Sequence, residues 1–222
     1  MCLTTFRACA PHIVKKFRGT ILISILFGIG WVASIAFGMR LLVAHETTPG
    51  SVASVPSHFP AQSALNLAPD QLTLVMLAHP RCPCTRASIG ELAQIMAEGQ
   101  GKLKAYVLFS RPEGAGADWN ETGAWHSAAE IPGVTPVGDD DGRETRRFGA
   151  ETSGHTLLFS ADGRLLFSGG ITASRGHAGD NVGESAIVAL LREQPAMRTT
   201  TPVYGCGLIH RAVAAAKPVC LK

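Results

Sequence analysis

The chain has 222 residues and a formal net charge of +3, with 20 Lys and Arg against 17 Asp and Glu. This length suits one domain of good size with an appendage. The basic residues are scattered rather than gathered into the patch typical of nucleic-acid-binding proteins, so we expect no nucleic-acid partner.

An apolar stretch lies near the N-terminus. Residues 19–39 contain no charged side chain, and an α-helix needs about 20 such residues to cross a bilayer. The basic residues before it predict a cytoplasmic segment over 1–18 and a body on the other side of the membrane. A cleaved signal peptide is the alternative, but its apolar region is usually only about 7–15 residues long. We therefore expect a signal anchor at 19–43, and the membrane as a partner.

The remaining chain divides by composition. Residues 44–70 are rich in Pro, Ser and Ala and predict a linker. Residues 71–196 show the patterns of a folded domain, and residues 197–222 form a C-terminal tail. We expect a single-pass protein of the inner membrane whose C-terminal domain lies in the periplasm.

The predicted elements of the domain alternate between strands and helices. Apolar runs predict strands at 72–79 and 102–110, helical spacing follows the first run as far as Gly99, and two apolar runs around the turn "SADG" predict a hairpin at 156–170. A weak helical pattern lies at 120–130, and a clear one at 183–194. This order predicts an α/β fold with a mixed sheet and helices on both faces.

Two cysteines, Cys82 and Cys84, lie one residue apart in the turn between the first strand and the first helix. A disulfide between them would close almost no loop, so it would stabilise the fold little. A helix N-terminus and the neighbouring Arg81 and Arg86 favour a thiolate. A thiolate is the nucleophile of disulfide exchange and also a soft ligand for copper or zinc.

The chain has four further cysteines. Cys2 and Cys9 fall on the cytoplasmic side of the predicted anchor and cannot meet the remaining cysteines. Cys82, Cys84, Cys206 and Cys220 fall on the opposite side, where disulfides persist if the compartment is the periplasm. Cys206 lies between two glycines after the last predicted helix. Four alternatives are open for it: it resolves a mixed disulfide, binds metal as a third ligand, pairs with Cys220 or stays a free thiol.

Other polar clusters have simpler interpretations. The acidic run at 139–141 is typical of a solvated turn, and three adjacent carboxylates only weakly suggest calcium. His177, Asp180 and Asn181 lie in a glycine-rich loop, where Asn181 is placed to cap the last helix.

The strand ending in "LAHPRCPCT", the helix and strand that follow, and the later "RFGAETSGHTLLFSADGRLLFSGG" resemble the thioredoxin-like superfamily over about residues 70–194. The chain is most similar to small membrane-anchored redoxins with an HP-x-CPCT turn, of the RedB-like type. It is related more broadly to redoxin, peroxiredoxin and Sco-type proteins. The resemblance implies a thioredoxin-like three-layer α/β/α sandwich and the activity of a thiol–disulfide oxidoreductase that acts on a protein dithiol or disulfide.

The chain departs from these relatives at several positions. Thioredoxins have C-x-x-C where this chain has C-x-C, and His155 stands where they have a cis-proline. The peroxiredoxin Thr/Ser-x-x-Cys signature is absent, which weakens a peroxide-reducing role. The predicted redox site needs no cofactor: Cys82 attacks, Cys84 resolves and Cys206 is a further exchange partner. The alternative is a Sco-like copper site formed by Cys82, Cys84 and His155.

Overall fold

The computed structural model describes residues 10–99 and 101–208, with side chains from residue 21 onward except that of residue 117. The chain divides into two units, Met1–His45 and Glu46–Lys222. The described residues of the first unit belong to helix α1, Ala10–Thr47. Its part Ile21–Thr47 is long and apolar enough to cross a membrane. Anchors and signal sequences share these properties.

The second unit contains a five-stranded sheet in the order β3–β2–β1–β4–β5. Its strands are Leu72–Ala78 (β1), Leu103–Arg111 (β2), Val134–Asp140 (β3), His155–Phe159 (β4) and Leu165–Gly170 (β5). Strands β1, β2 and β3 are parallel, whereas β4 is antiparallel to both β1 and β5. The mixed sheet predicted from the sequence is confirmed, and the turn carrying the cysteine pair leaves its central strand.

One face of the sheet is covered by α2 (Pro83–Gly99), α3 (Gly123–Ala129) and α5 (Val182–Leu191), with a short 3₁₀ helix, Ala117–Asn120, before α3. Leu92 and Ile95 of α2 share a core cluster with Leu74 and Met76 of β1 and with Ile187 of α5. All five side chains are fully buried or nearly so. Burial of each such side chain contributes about 1.5–3 kcal/mol, so this face fixes the position of α2.

The opposite face is covered by the short helix α4 (Arg143–Arg147) and by chain that precedes β1. The Phe59 ring packs edge-on against Phe148 and Phe159, with ring centroids 5.4 and 5.3 Å apart. Leu65 is buried in the same cluster. Part of the segment expected to be a linker therefore packs against the sheet.

Strand β3 and helix α4 are absent from the predicted elements. Strand β3 is an edge strand, where Pro136 is tolerated because only one side of the strand needs its hydrogen bonds. The sequence predicted that the acidic run at 139–141 is a solvated turn, and this is wrong for its first residue. Asp139 is buried and accepts hydrogen bonds from the backbone N–H groups of Glu144 and Thr145, at 2.8 and 2.9 Å. This carboxylate holds the first turn of α4 to the sheet.

Buried Glu91 joins α2 to the loop before α5. Its carboxylate accepts hydrogen bonds from Gly179 N (2.8 Å) and Asn181 Nδ2 (3.3 Å). Asn181 also caps α5, because its Oδ1 accepts a hydrogen bond from Glu184 N at 2.8 Å. Burial, followed by the hydrogen bond and the charge of Glu91, raises the pKa of Glu184 to about 7.

The interaction between Glu184 and Glu91 makes the free energy of unfolding depend on pH. The folded-state pKa of about 7 exceeds the ordinary value of 4.5, so between these values the folded protein keeps a proton that the unfolded chain has lost. The stability from this group is therefore lost as pH rises through 7. We expect Glu184→Gln to raise Tm by about 2–4 °C near pH 8, an effect of about 1 kcal/mol after solvent screening, and to change it little near pH 4.5.

Thermal unfolding of the full chain in detergent at both pH values measures this effect, with exposed Glu113→Gln as the control. An equal Tm change at both pH values would contradict the explanation by the raised pKa of Glu184.

Candidate functional site

Cys82 and Cys84 lie where β1 passes into α2. Cys82 directly precedes the helix, and its carbonyl oxygen accepts a hydrogen bond from Thr85 N at 3.1 Å. Pro83 fits the first helical position because the N–H that it lacks would have no partner within the helix. Cys82 is only 5% exposed, whereas Cys84 is half-buried. Among the described residues, neither forms a disulfide.

A hydroxyl network fixes the shape of this turn. Ser153 Oγ accepts a hydrogen bond from His79 N at 2.9 Å and lies 2.9 Å from Thr85 Oγ1. Thr85 Oγ1 donates to the carbonyl oxygen of His79 at 3.0 Å, so the hydroxyl proton of Ser153 is directed to Thr85. The two hydroxyls and the backbone of His79 thus supply one another's hydrogen-bond partners. These bonds hold the turn to Ser153, which lies just before β4.

The C-terminal segment, residues 199–208, brings a third thiol to the turn. Cys206 Sγ lies 2.8 Å from Cys82 Sγ, across 124 positions of the chain. Ser153 N donates to the carbonyl oxygen of Cys206 at 2.8 Å, and Thr152 forms an antiparallel bridge with Gly207. Cys206 is exposed while Cys82 is buried. The structure therefore brings together Cys82, Cys84 and Cys206, the three residues of the predicted redox site.

Gly205 permits this approach. A Cβ at position 205 would lie 2.0 Å from the carbonyl oxygen of Ser153, a distance that no side chain can accept. Glycine is needed here for close packing of two backbones. A glycine at position 205 therefore lets the C-terminal segment pass close to Ser153 and bring Cys206 to Cys82.

The three thiols have different acidities. Burial raises the pKa of Cys82, but hydrogen bonds from the Cys206 thiol and from backbone N–H groups of Cys206, Cys84 and Thr85 outweigh it, so this pKa lies below its ordinary value. Burial, then the charge of Cys82, raises the pKa of Cys84. Burial, then the hydrogen bond to Cys82, raises the pKa of Cys206 to about 12. Cys82 is thus the thiol most readily ionised.

Arg175 was not among the site residues expected from the sequence. Its positive charge opposes the increase in the pKa of Cys84 and Cys206 without reversing it. Its guanidinium donates to the carbonyl oxygen of Gly205 and, at 3.4 Å, to that of Thr48. It lies in the glycine-rich loop after β5, far from the cysteines in sequence. The only signal for it was a basic residue in a loop that already contained several polar groups.

A groove opens beside Cys82. It has a volume of about 300 Å³ and is lined by Pro80, Arg81, Cys82, Pro83, Arg86, Thr122, Gly123 and Ala124. Arg81 was expected to act on the thiols, and its guanidinium lies over the Trp119 ring, 4.0 Å from the centroid. Stacking of this kind orients an arginine while leaving its charge in place. Cys82 therefore lies at the wall of a cationic groove.

His155 is the first residue of β4 and follows Ser153 by two positions. It pairs with Leu77 across β1 and β4 and is fully buried. Its Nε2 lies 2.9 Å from Ser168 Oγ, and burial lowers its pKa to about 4. Among the described residues its Nδ1 has no hydrogen-bond partner. Over the same residues, no group of three or more His, Cys, Asp or Glu side chains is placed to hold a metal ion.

The structure was compared with solved structures, and the sequence with protein families and curated proteins. No protein-family model and no curated protein matches the chain. A solved hypothetical protein from Sinorhizobium meliloti is similar over 72% of this chain and 93% of its own, with 21% identity and a TM-score of 0.53. An uncharacterised conserved protein from Geobacillus kaustophilus matches 76% and 95% of the two chains, with 17% identity and a TM-score of 0.54.

A secreted Mycobacterium tuberculosis disulfide oxidoreductase homologous to E. coli DsbE is also similar, over 55% of this chain and 82% of its own, with 17% identity and a TM-score of 0.41. Strands β2–β1–β4–β5, with α2 after β1 and α5 after the hairpin, form the thioredoxin-like arrangement. The chain therefore has a thioredoxin-like fold, and the fold class expected from the sequence is confirmed.

The acidity of Cys82 depends on its contact with Cys206. We expect Cys206→Ala to raise the pKa of Cys82, because it removes the sulfur donor, whereas Cys206→Ser keeps a donor and shifts it less. Thiolate absorbance of the reduced full chain, followed against pH, measures this change. An unchanged titration in Cys206→Ala would show that the contact does not set this pKa.

Proposed function

We propose that this protein carries out thiol–disulfide exchange through Cys82, with Cys84 and Cys206 as the neighbouring thiols. The observation that carries the proposal is the 2.8 Å contact between Cys82 Sγ and Cys206 Sγ, with Cys84 in the same turn. Exchange needs one ionised thiol and a second thiol within reach of it. The lowered pKa of Cys82 meets the first need, and its neighbours meet the second.

The reaction proceeds in two displacements. The Cys82 thiolate attacks one sulfur of a partner disulfide, the partner's S–S bond breaks, and the departing sulfur takes a proton. A second thiol of the protein then attacks the Cys82 sulfur, and its proton goes to the partner sulfur that is released. The partner gains two electrons and two protons, and the protein gains one disulfide. The reverse sequence oxidises a partner dithiol.

The groove beside Cys82 supports a protein as the partner. Its volume of about 300 Å³ is at the small end for a ligand pocket and suits a short extended segment that presents a cysteine. No cofactor takes part in either displacement, because the electrons pass between sulfur atoms.

We place the reaction outside the cytoplasm. The apolar part of α1 supports a membrane anchor, and the basic residues before it favour a cytoplasmic N-terminus. The thiol domain then faces a compartment such as the periplasm, where protein disulfides form and persist.

The copper alternative used Cys82, Cys84 and His155. Two thiolates and an imidazole are a suitable ligand set for copper. In the described structure, however, His155 Nε2 contacts Ser168, and the three residues do not form a ligand cluster. Thiol exchange needs only the sulfur contacts that are present, so it is the function that we propose.

Removal of Cys82 should abolish exchange. We expect Cys82→Ser to reduce the rate of reaction with a model disulfide at least a hundredfold, since a hydroxyl cannot replace the thiolate. The full chain in detergent, prereduced and mixed with a chromogenic disulfide, gives the rate of thiol release. Cys220→Ser is the control with the wild-type rate. Wild-type exchange by Cys82→Ser would mean that the reactive centre lies elsewhere.

A further inference from the structure

Two thiols of this chain are candidates to close a disulfide with Cys82. We propose that Cys206, and not Cys84, forms the working disulfide with Cys82, and that Ser153 and Arg175 position Cys206 for this step. This inference rests on the proposed function and assigns a role to each thiol. It replaces the order expected from the sequence, in which Cys84 resolves the mixed disulfide.

The geometry of the turn opposes closure by Cys84. Cys82 precedes α2 and Cys84 lies in its first turn. On a helix, side chains two positions apart do not face each other. Pro83 between them also has a fixed φ. The Cys84 thiol does form a side-chain hydrogen bond with Cys82, but a disulfide between them would have to close across Pro83. We expect such a bridge to distort the first turn of α2 and the hydrogen bond from Thr85 N to Cys82 O.

Cys206 needs only a small movement. Its sulfur is 2.8 Å from that of Cys82, whereas a disulfide bond is about 2.05 Å long. The two sulfurs therefore need to approach by less than about 1 Å. No hydrogen bond of α2 has to break, because Cys206 arrives from the C-terminal segment and not from the helix.

Ser153 fixes both sulfurs from one residue. Its backbone N–H holds the carbonyl of Cys206, and its hydroxyl holds the turn through His79 N and Thr85 Oγ1. Ser153 is only 1% exposed, so these bonds are shielded from competing water. A displacement of Ser153 would move the two halves of the thiol pair apart.

Arg175 also holds the C-terminal segment in place. Its guanidinium donates to the carbonyl of Gly205, the residue before Cys206. Its charge also lies near Cys206, where it opposes the groups that keep this thiol protonated. The positive charge is thus placed where negative charge develops when Cys206 loses its proton and attacks.

The closing step is balanced without a further reagent. A partner sulfur is bound to Cys82 as a mixed disulfide. Cys206 Sγ attacks Cys82 Sγ, the bond to the partner breaks, and the proton of Cys206 goes to the released partner sulfur. Oxidised glutathione provides a defined partner, with one half forming the mixed disulfide and both halves leaving as reduced glutathione.

Peptide mapping tests which disulfide forms. Cleavage after Arg and Lys places Cys82 and Cys84 together on residues 82–86, Cys206 on 199–211 and Cys220 on 212–222. The reduced full chain in detergent is oxidised with oxidised glutathione, alkylated and digested without reduction. We expect a cross-link between 82–86 and 199–211, still present in Cys84→Ser and absent in Cys206→Ser.

Two results would overturn the assignment of Cys206. An internal disulfide within 82–86 would make Cys84 the closing thiol, and a cross-link between 199–211 and 212–222 would pair Cys206 with Cys220. Both leave Cys82 exchange measurable, so they separate failure of this inference from failure of the proposed function. The latter would appear as the absence of reaction with oxidised glutathione at Cys82.

The positioning role of Arg175 has its own measurement. In glutathione redox buffers, the ratio of Cys82–Cys206 disulfide to Cys82–glutathione mixed disulfide, multiplied by the concentration of reduced glutathione, gives the effective concentration of Cys206. We expect Arg175→Met to lower it about tenfold, as loss of a hydrogen bond from a charged group would, and Arg175→Lys to restore part of it.

Arg192→Met is the matched control, since Arg192 forms an exposed ion pair with Glu98 at the C-terminal end of α2, away from the cysteine turn. We expect Ser153→Ala to lower the same ratio, and the alkylation rate of Cys82 in the reduced variant shows whether the turn itself has loosened. A wild-type ratio in both Arg175→Met and Ser153→Ala would contradict the positioning roles.

Discussion

The candidate site depends on one hydrogen-bonded junction at Ser153. The backbone of this residue holds the C-terminal segment, and its hydroxyl holds the turn between β1 and α2. The core beneath α2 fixes one half of the junction, and the close approach at Gly205 fixes the other. Packing, hydrogen bonding and a single small residue together produce a contact between two sulfurs.

The same junction makes the thiols unequal. Burial alone would raise the pKa of every thiol in the turn. Cys82 departs from this trend because it accepts hydrogen bonds from Cys206 and from nearby backbone N–H groups. The group that stabilises the Cys82 thiolate is also the group that we propose closes the disulfide. Arg175 belongs to the same arrangement, since it binds the backbone beside Cys206 and lies near its sulfur.

Much of the fold was predictable because its central strands are continuous apolar runs. Strands β1, β2 and β4 are buried on both faces, β5 is partly buried and joined to β4 by a clear turn sequence, and α2 and α5 show helical spacing. Strand β3 was not predictable in this way, because Pro136 and Gly138 interrupt an edge strand that ends in acidic residues.

The site was predictable only in part. The C-x-C pair and its turn follow from local sequence, and Cys206 was a candidate by chemistry alone. Its position depends on the path of a segment without apolar periodicity, which runs beside Thr152 and Ser168. Arg175 and Ser153 act through backbone groups distant in sequence, and no local pattern marks such contacts.

The central claim is that this protein exchanges electrons through a pair of thiols, and the most direct test counts those thiols. The full chain contains six cysteines. It is equilibrated in detergent with glutathione buffers of increasing oxidation, alkylated and weighed intact, with a parallel sample given Cu(I) and weighed under native conditions. The account predicts a reversible loss of two alkylation sites in one step, with no retained copper. Six alkylated thiols at every potential, together with one tightly retained copper ion, would contradict it.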